Sequence, residues 1–236
     1  RELPDVPVHE IDERFTSRMA KQAMLAGGLG RKARQDKATV DKTRAKDLPT
    51  DLPAQELGQL VQDMFETMYS AHGVGLAAPQ IGKGIRLFVM DSGPMVEPDE
   101  DEETTEPLDA STQAGPAEVP VKRAFINPQM LSETGEQWGF EEGCLSIPGV
   151  REMVQRCPDI VLRYEDENRQ VHEEAFSGMA ARIIQHEYDH LEGILFTDKL
   201  SAFKKQLLKG KLSRISKGDV KHDYRMKFPT SAGGRR

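Results

Sequence analysis

In the run His186-Glu187-Tyr188-Asp189-His190, two imidazoles and a carboxylate stand where one bound cation could use all three. On a helix, residues four apart share a face, so His186 and His190 can reach a single ion. Glu187 lies one step round, within reach of water on that ion without being forced to ligate it. Two His that fix a metal and a Glu that handles protons are the working parts of a metal-activated hydrolase. The plainer alternative is an exposed helix face decorated with polar groups. Met179, Ile183, Ile184, Leu191, Ile194, Leu195 and Phe196 argue against it, because polar groups set in so apolar a segment need partners. A closed hydrogen-bond network would serve, but a metal satisfies both imidazoles most economically. Arg182 in the same segment has no role in this reading.

A third ligand decides the class. A metzincin frame would place Gly three residues and His six residues beyond the second His; Gly193 fits, but Phe196 occupies the other position. A thermolysin-like site takes a downstream Glu, and none follows Glu192. Asp198, Asp219, Asp223 and His222 stay open, though none stands in a recognisable ligand frame. Upstream, Glu142-Gly143-Cys144-Leu145-Ser146 carries one of only two cysteines. A thiolate with two imidazoles is a known catalytic set, whereas most free cysteines are small buried hydrophobes. A third segment, Gly73-Val74-Gly75-Leu76-Ala77-Ala78-Pro79-Gln80-Ile81-Gly82, lets backbone pass close to a ligand, or simply turns between a helix and a strand. Gln80 is its one neutral side-chain donor, suited to a developing oxyanion.

Taken together, Gly73 to Gln80, Glu142 to Ser146 and His186 to Gly193, in that order, closely resemble peptide deformylases. The resemblance spans roughly Leu52 to Phe228 with one interruption. It implies hydrolytic removal of the formyl group from N-formyl-methionyl nascent peptides, with release of formate. Cys144, His186 and His190 would hold one divalent metal ion that acidifies water. Gln80 and the backbone N–H of Leu145 would meet the charge on the formyl oxygen, and Glu187 would carry the proton. The family is associated with Fe2+, expected in the cell; Zn2+, Ni2+ or Co2+ also suit the ligands. The peptide would lie along Val74–Gly75, and Val74, Phe140, Met179 and Ile183 are candidates for the methionine pocket.

Several elements must position these groups. Ala54 to Ala71 reads as an amphipathic helix with a stripe of Leu57, Leu60, Val61, Met64, Phe65 and Met68, stopped by Gly73. Strands are expected at Ile85–Met90, Arg123–Ile126, Met130–Trp138, Ile160–Tyr164 and Val171–Phe176. Ser177 can cap a helix running to about Leu191, and Ser201–Leu208 reads as a last helix. The fold class is α+β, mainly antiparallel sheets packed around a central metal-binding HExxH helix. The organisation expected is an N-terminal extension over residues 1–50, a catalytic domain over 51–200 and a C-terminal helix with basic tail over 201–236. Within the catalytic domain, residues 93–120 read as an acidic, mobile insertion built on Glu97-Pro98-Asp99-Glu100-Asp101-Glu102-Glu103.

At 236 residues, 37% apolar and 30% charged, the composition suits one domain with appendages, with no apolar run long enough for a bilayer. Neither membrane nor DNA is expected as a partner. Two cysteines form no disulfide framework, and Cys157 reads as a structural thiol. The chain opens at Arg1, as a trimmed product would, and Met19–Gly30 is a poor secretion signal, so a cytoplasmic location is expected, with an organelle as the alternative. From Ser201 on, Lys204, Lys205, Lys209, Lys211, Arg214, Lys217, Lys221, Arg225 and Lys227 outnumber Asp219 and Asp223. That tail could contact ribosomal RNA transiently through phosphates. Two rivals are a decayed, non-catalytic binding module and a metallopeptidase that cuts internal amide bonds.

Overall fold

A computed structural model describes residues 11–12, 44–96 and 119–227. Its centre is a five-stranded antiparallel sheet in the order β2-β3-β4-β7-β8, from Gly75–Ala77, Leu87–Asp91, Lys122–Thr134, Asp159–Glu165 and Val171–Ser177. Strand β3 shows why the sheet carries a helix on each face. Side chains alternate along a strand: Leu87 and Val89 pack toward helix α1 (Ala54–Ser70), Phe88 and Met90 toward helix α2 (Gly178–Leu191). With both faces covered, Leu87 to Met90 are all buried, which is why this strand reads as an unbroken apolar run. Strand β4 repeats the division, with Phe125 on one side and Ala124 and Ile126 on the other.

Strands β5 (Trp138–Gly143) and β6 (Arg151–Arg156) form a separate hairpin, whose loop holds Cys144. A third core cluster, Ile147, Val150, Val154, Leu195, Phe196, Leu200 and Ile215, joins this hairpin to helix α3 (Ala202–Ile215). Short strands β1 (Ile11–Asp12) and β9 (Met226–Lys227) pair in parallel. Among the described residues, no helix is long and apolar enough to cross a membrane.

The α+β class holds, while several expected boundaries move. Helix α1 ends at Ser70, and His72 rather than Gly73 takes the left-handed conformation (φ 55°). The amides of His72 and Gly73 then bond the carbonyls of Tyr69 and Met68, both at 2.9 Å, closing the helix end. Ser177 sits at the start of α2, but its side chain makes no cap bond. Gly193 (φ 73°) ends that helix by the same device, with Ile194 N bonded to Asp189 O at 2.8 Å. The two strands expected at Arg123–Ile126 and Met130–Trp138 are one strand with a bulge after Ile126 and another after Met130; Trp138 belongs to β5. Helix α3 runs to Ile215, well beyond Leu208. Ala45 and Leu48 are buried in the two main clusters, so packed core begins before residue 51. Residues 97–118 of the acidic insertion lie outside the described residues, as does most of the first fifty.

Candidate metal centre

Helix α2 brings His186 and His190 onto one face with ring centroids 5.1 Å apart. The hairpin loop delivers Cys144, whose Sγ lies 3.3 Å from His190 Nε2. One donor atom from each of Cys144, His186 and His190 falls within 4.8 Å of the others. Asp198, Asp219, Asp223 and His222 are not in this group; Asp198 accepts the Leu195 amide and Asp219 pairs with Arg214.

A buried charged network orients the donors. His186 Nδ1 donates to Glu142 Oε2 at 3.0 Å, which leaves Nε2 for a cation. Arg156, 2% exposed, donates to both Glu142 oxygens at 2.6 and 2.9 Å and to Asp189 at 2.8 Å. Arg182 adds a bond to Glu142 at 2.6 Å and to the Trp138 carbonyl at 2.7 Å, with its guanidinium 4.1 Å from the Trp138 ring centroid. Burial opposes ionisation of Glu142, but bonds from His186 and Arg156 outweigh it and hold the carboxyl well below the usual range. The sequence offered no sign of Arg156; the sign for Arg182 was a charge on an apolar helix.

The donor set fits a divalent cation. Burial, reinforced by the charge of His186, pushes His190 well down, so it is neutral and able to ligate. Burial alone would lower His186 too, yet Cys144 and Glu142 raise it to about 10. The protein without metal therefore collects a proton where a cation would sit. His190 Nδ1 is buried with no hydrogen-bond partner.

Glu187 is 4% exposed, and its Oε2 has no hydrogen-bond partner. Burial pushes its carboxyl up to about 7, only partly offset by His186 and Arg156. A Cβ added at Gly75 would overlap the Glu187 carboxyl group, so any larger residue there must displace that side chain. Gln80, on a 3-10 turn spanning Ala78–Ile81, accepts the Ala77 amide at 2.8 Å through Oε1. That fixes its NH2 toward Ser146 Oγ at 3.0 Å and Cys144 Sγ at 3.7 Å. Leu145 packs against Gly73, where a Cβ would meet its Cδ1 at 2.7 Å. A cavity of about 850 Å³ opens on these groups and is lined by Val74, Gly75, Phe140, Met179, Arg182 and Ile183. Ile183 is also 6% exposed core. Lys221, His222, Asp223 and Tyr224 line the same cavity, a contribution the sequence did not announce.

An antiparallel α+β fold whose buried helix carries two His and a Glu, facing a cysteine on a hairpin loop, has the donor set of a metal-dependent hydrolase. The polypeptide deformylase profile matches residues 33–206, and the chain belongs to that family. It is 50% identical over 194 residues to the peptide deformylase of Christiangramia forsetii, covering 82% of this chain and 93% of that protein. With the peptide deformylase of Cytophaga hutchinsonii the identity is 53% over 167 residues, 71% of this chain and 81% of the relative. The crystal structure of peptide deformylase from Thermotoga maritima superposes with a TM-score of 0.52 at 36% identity, over 67% of this chain and 88% of that one.

Proposed function

We propose that this protein hydrolyses the formyl amide of N-formyl-methionyl peptides, releasing formate. The observation that carries the reading is the convergence of Cys144, His186 and His190 beside a buried, unpartnered Glu187 oxygen. A divalent cation held by those three donors supplies Lewis acidity and makes water acidic enough to ionise near neutral pH. Glu187 takes the proton from water as the water oxygen bonds to the formyl carbon, and later gives it to the amine nitrogen as the C–N bond breaks. Gln80 NH2 and Leu145 N–H donate to the formyl oxygen as charge builds on it. Strand β2 lies at the edge of the sheet, so the peptide can extend along Val74–Gly75. The methionine side chain enters among Val74, Phe140, Met179 and Ile183. Formate release from a formyl-methionyl peptide, set against Glu187→Ala, is the test. Release by wild type and none by a variant that still holds metal is the expected result. Cleavage of internal amide bonds with no preference for the formyl group would favour the metallopeptidase instead.

For the ion we propose Fe2+ in the cell, which metal analysis of anaerobically prepared protein checks; Zn2+, Ni2+ or Co2+ also match the donors. The quoted relatives are bacterial, in which translation is cytoplasmic, and we place the enzyme there. We further propose transient ribosome contact through the C-terminal helix and tail. Four of the cations named above have partners within the chain: Lys204 on Glu152, Lys205 on the Asp198 carbonyl, Lys211 on the Gly149 carbonyl and Arg214 on Asp219. Contact would therefore draw on the remaining cations and on exposed Phe203 and Leu207. Equal co-sedimentation of intact and tail-deleted protein with ribosomes at low salt would end that idea.

A further inference from the structure

The cavity reaches past the family match. That match ends at residue 206, yet Lys221, His222, Asp223 and Tyr224 line the same cavity as Cys144 and Glu187. The segment is held in place at several points. Ile215 is buried and Val220 packs against the cluster that also takes Cys144. Gly218 (φ 77°) turns the chain, and Arg214 pairs with Asp219 at 2.7 Å. The Tyr224 carbonyl meets His222 Nδ1 at 2.6 Å, and β9 follows directly, paired with β1. From this segment the half-buried Tyr224 sends its hydroxyl to the Leu145 carbonyl, a bond of 2.6 Å.

Besides the Ile147 amide on the Cys144 carbonyl, the tripeptide Cys144–Ser146 is gripped at four places. Cys144 Sγ lies against His190, the Leu145 side chain against Gly73, and Ser146 Oγ accepts from Gln80. The fourth grip, on the Leu145 carbonyl, comes from Tyr224 alone among the described residues. The Leu145 N–H shares its rigid peptide plane with the Cys144 carbonyl, which accepts the Ile147 amide at 2.9 Å, and Tyr224 fixes the next plane, so both planes that meet at the Leu145 Cα are held and the N–H has little freedom to tilt. A donor that stabilises an oxyanion works only when aimed in advance.

We propose that Tyr224 is a positioning residue of the active site, its hydroxyl holding the Leu145 peptide so that the neighbouring N–H is aimed at the formyl oxygen. This rests on the deformylase reading above. The C-terminal segment is thus a working part of the site rather than an appendage.

Full-length, metal-loaded Tyr224→Phe keeps the ring and removes the bond. With a formyl-methionyl tripeptide, kcat should fall roughly ten-fold, less than the loss of an oxyanion donor itself. KM should stay within about two-fold, because the bond matters in the transition state and not for ground-state binding. Metal content and Tm should match wild type. Hydrogen exchange at the Leu145 and Ser146 amides should quicken, whether or not the protein turns over. Wild-type kcat in Tyr224→Phe, a loss confined to KM, or unchanged exchange at both amides would each overturn the proposal. Absence of formate release by wild type itself would overturn the deformylase reading instead, and the exchange measurement would still decide whether Tyr224 holds Leu145.

Discussion

Glu142 is the residue on which the most depends for its size. One carboxylate takes bonds from Arg156, Arg182 and His186. In Glu142→Gln the shape is kept, but two buried guanidiniums lose an anion. Removing one partner from a buried pair costs about 3–5 kcal/mol. The urea midpoint should drop accordingly, and metal affinity should fall by about 10–100-fold as His186 loses its orienting carboxylate. The titrating groups give a second prediction. In metal-free protein the Glu187 carboxyl is raised from 4.5 to about 7, so the folded state holds a proton that the unfolded chain has lost. Its contribution to stability therefore falls as pH rises through that window. His186, raised from 6.5 to about 10, adds stability that is complete below pH 6.5 and lost as pH climbs toward 10. These two slopes have the same sign, but His190, held well below 6.5, adds stability that grows as pH rises to 6.5 and so opposes Glu187 there. Urea midpoints of metal-free protein should therefore stay nearly level up to about pH 6.5 and decline from there to about pH 9. In Glu187→Gln the His190 rise should stand unopposed at low pH, and bound metal should remove the decline, since a cation displaces the His186 proton. A midpoint that rises with pH across this range would contradict the assignment.

At the scale of elements, the approach of β2 to α2 is the tightest constraint. Gly75 needs no left-handed backbone, so the cost of a side chain there is contact alone: a Cβ 2.3 Å from Glu187 Oε1. Gly75→Ala should push Glu187 aside and lower kcat/KM by about 100-fold or more, as misplacement near 1 Å does. Tm should change far less than kcat/KM; a large loss of Tm with normal turnover would mean that Gly75 serves folding only. The histidine pair was legible because its helical spacing is a local property, and the glycine-rich segment because it stands out in composition. The bulges of β4 were not. Asn127-Pro128 reads as a break, yet Asn127 adopts φ 49° and its side chain bonds Leu48 N at 2.7 Å and Glu165 at 2.9 Å, carrying the strand across. The β5–β6 hairpin was hidden for a related reason. Its inward positions include Glu142 and Arg156, so the alternation looks like solvent-facing strand until the charges are seen to pair. Tyr224 lies 79 residues from Leu145, and no periodicity links them.

Across the whole molecule, the proposed metal ligands belong to different cores. The two histidines ride on α2, which packs on one face of the sheet; Leu145 packs with α1 on the other; Cys144 packs with the hairpin and α3. A bound cation would therefore tie the hairpin–α3 unit to the central helix. Ligand binding to the folded state adds RT ln(1 + [L]/Kd), about 2.7 kcal/mol at 100-fold saturation. For a chain of this size each kcal/mol shifts Tm by about 2–4 °C, so chelation should lower Tm by about 5–10 °C. The loss should be uneven. Buried apolar clusters hold the sheet to α1 and α2 without any metal, whereas the hairpin meets α2 through polar groups, the Glu142–Arg156–Arg182 network and the site itself. Hydrogen exchange after chelation should accelerate in residues 138–156 and 202–215 before it changes in β3 or α1. If protection falls equally everywhere, the cation stabilises the fold as a single unit, and the hairpin is not the part it fastens.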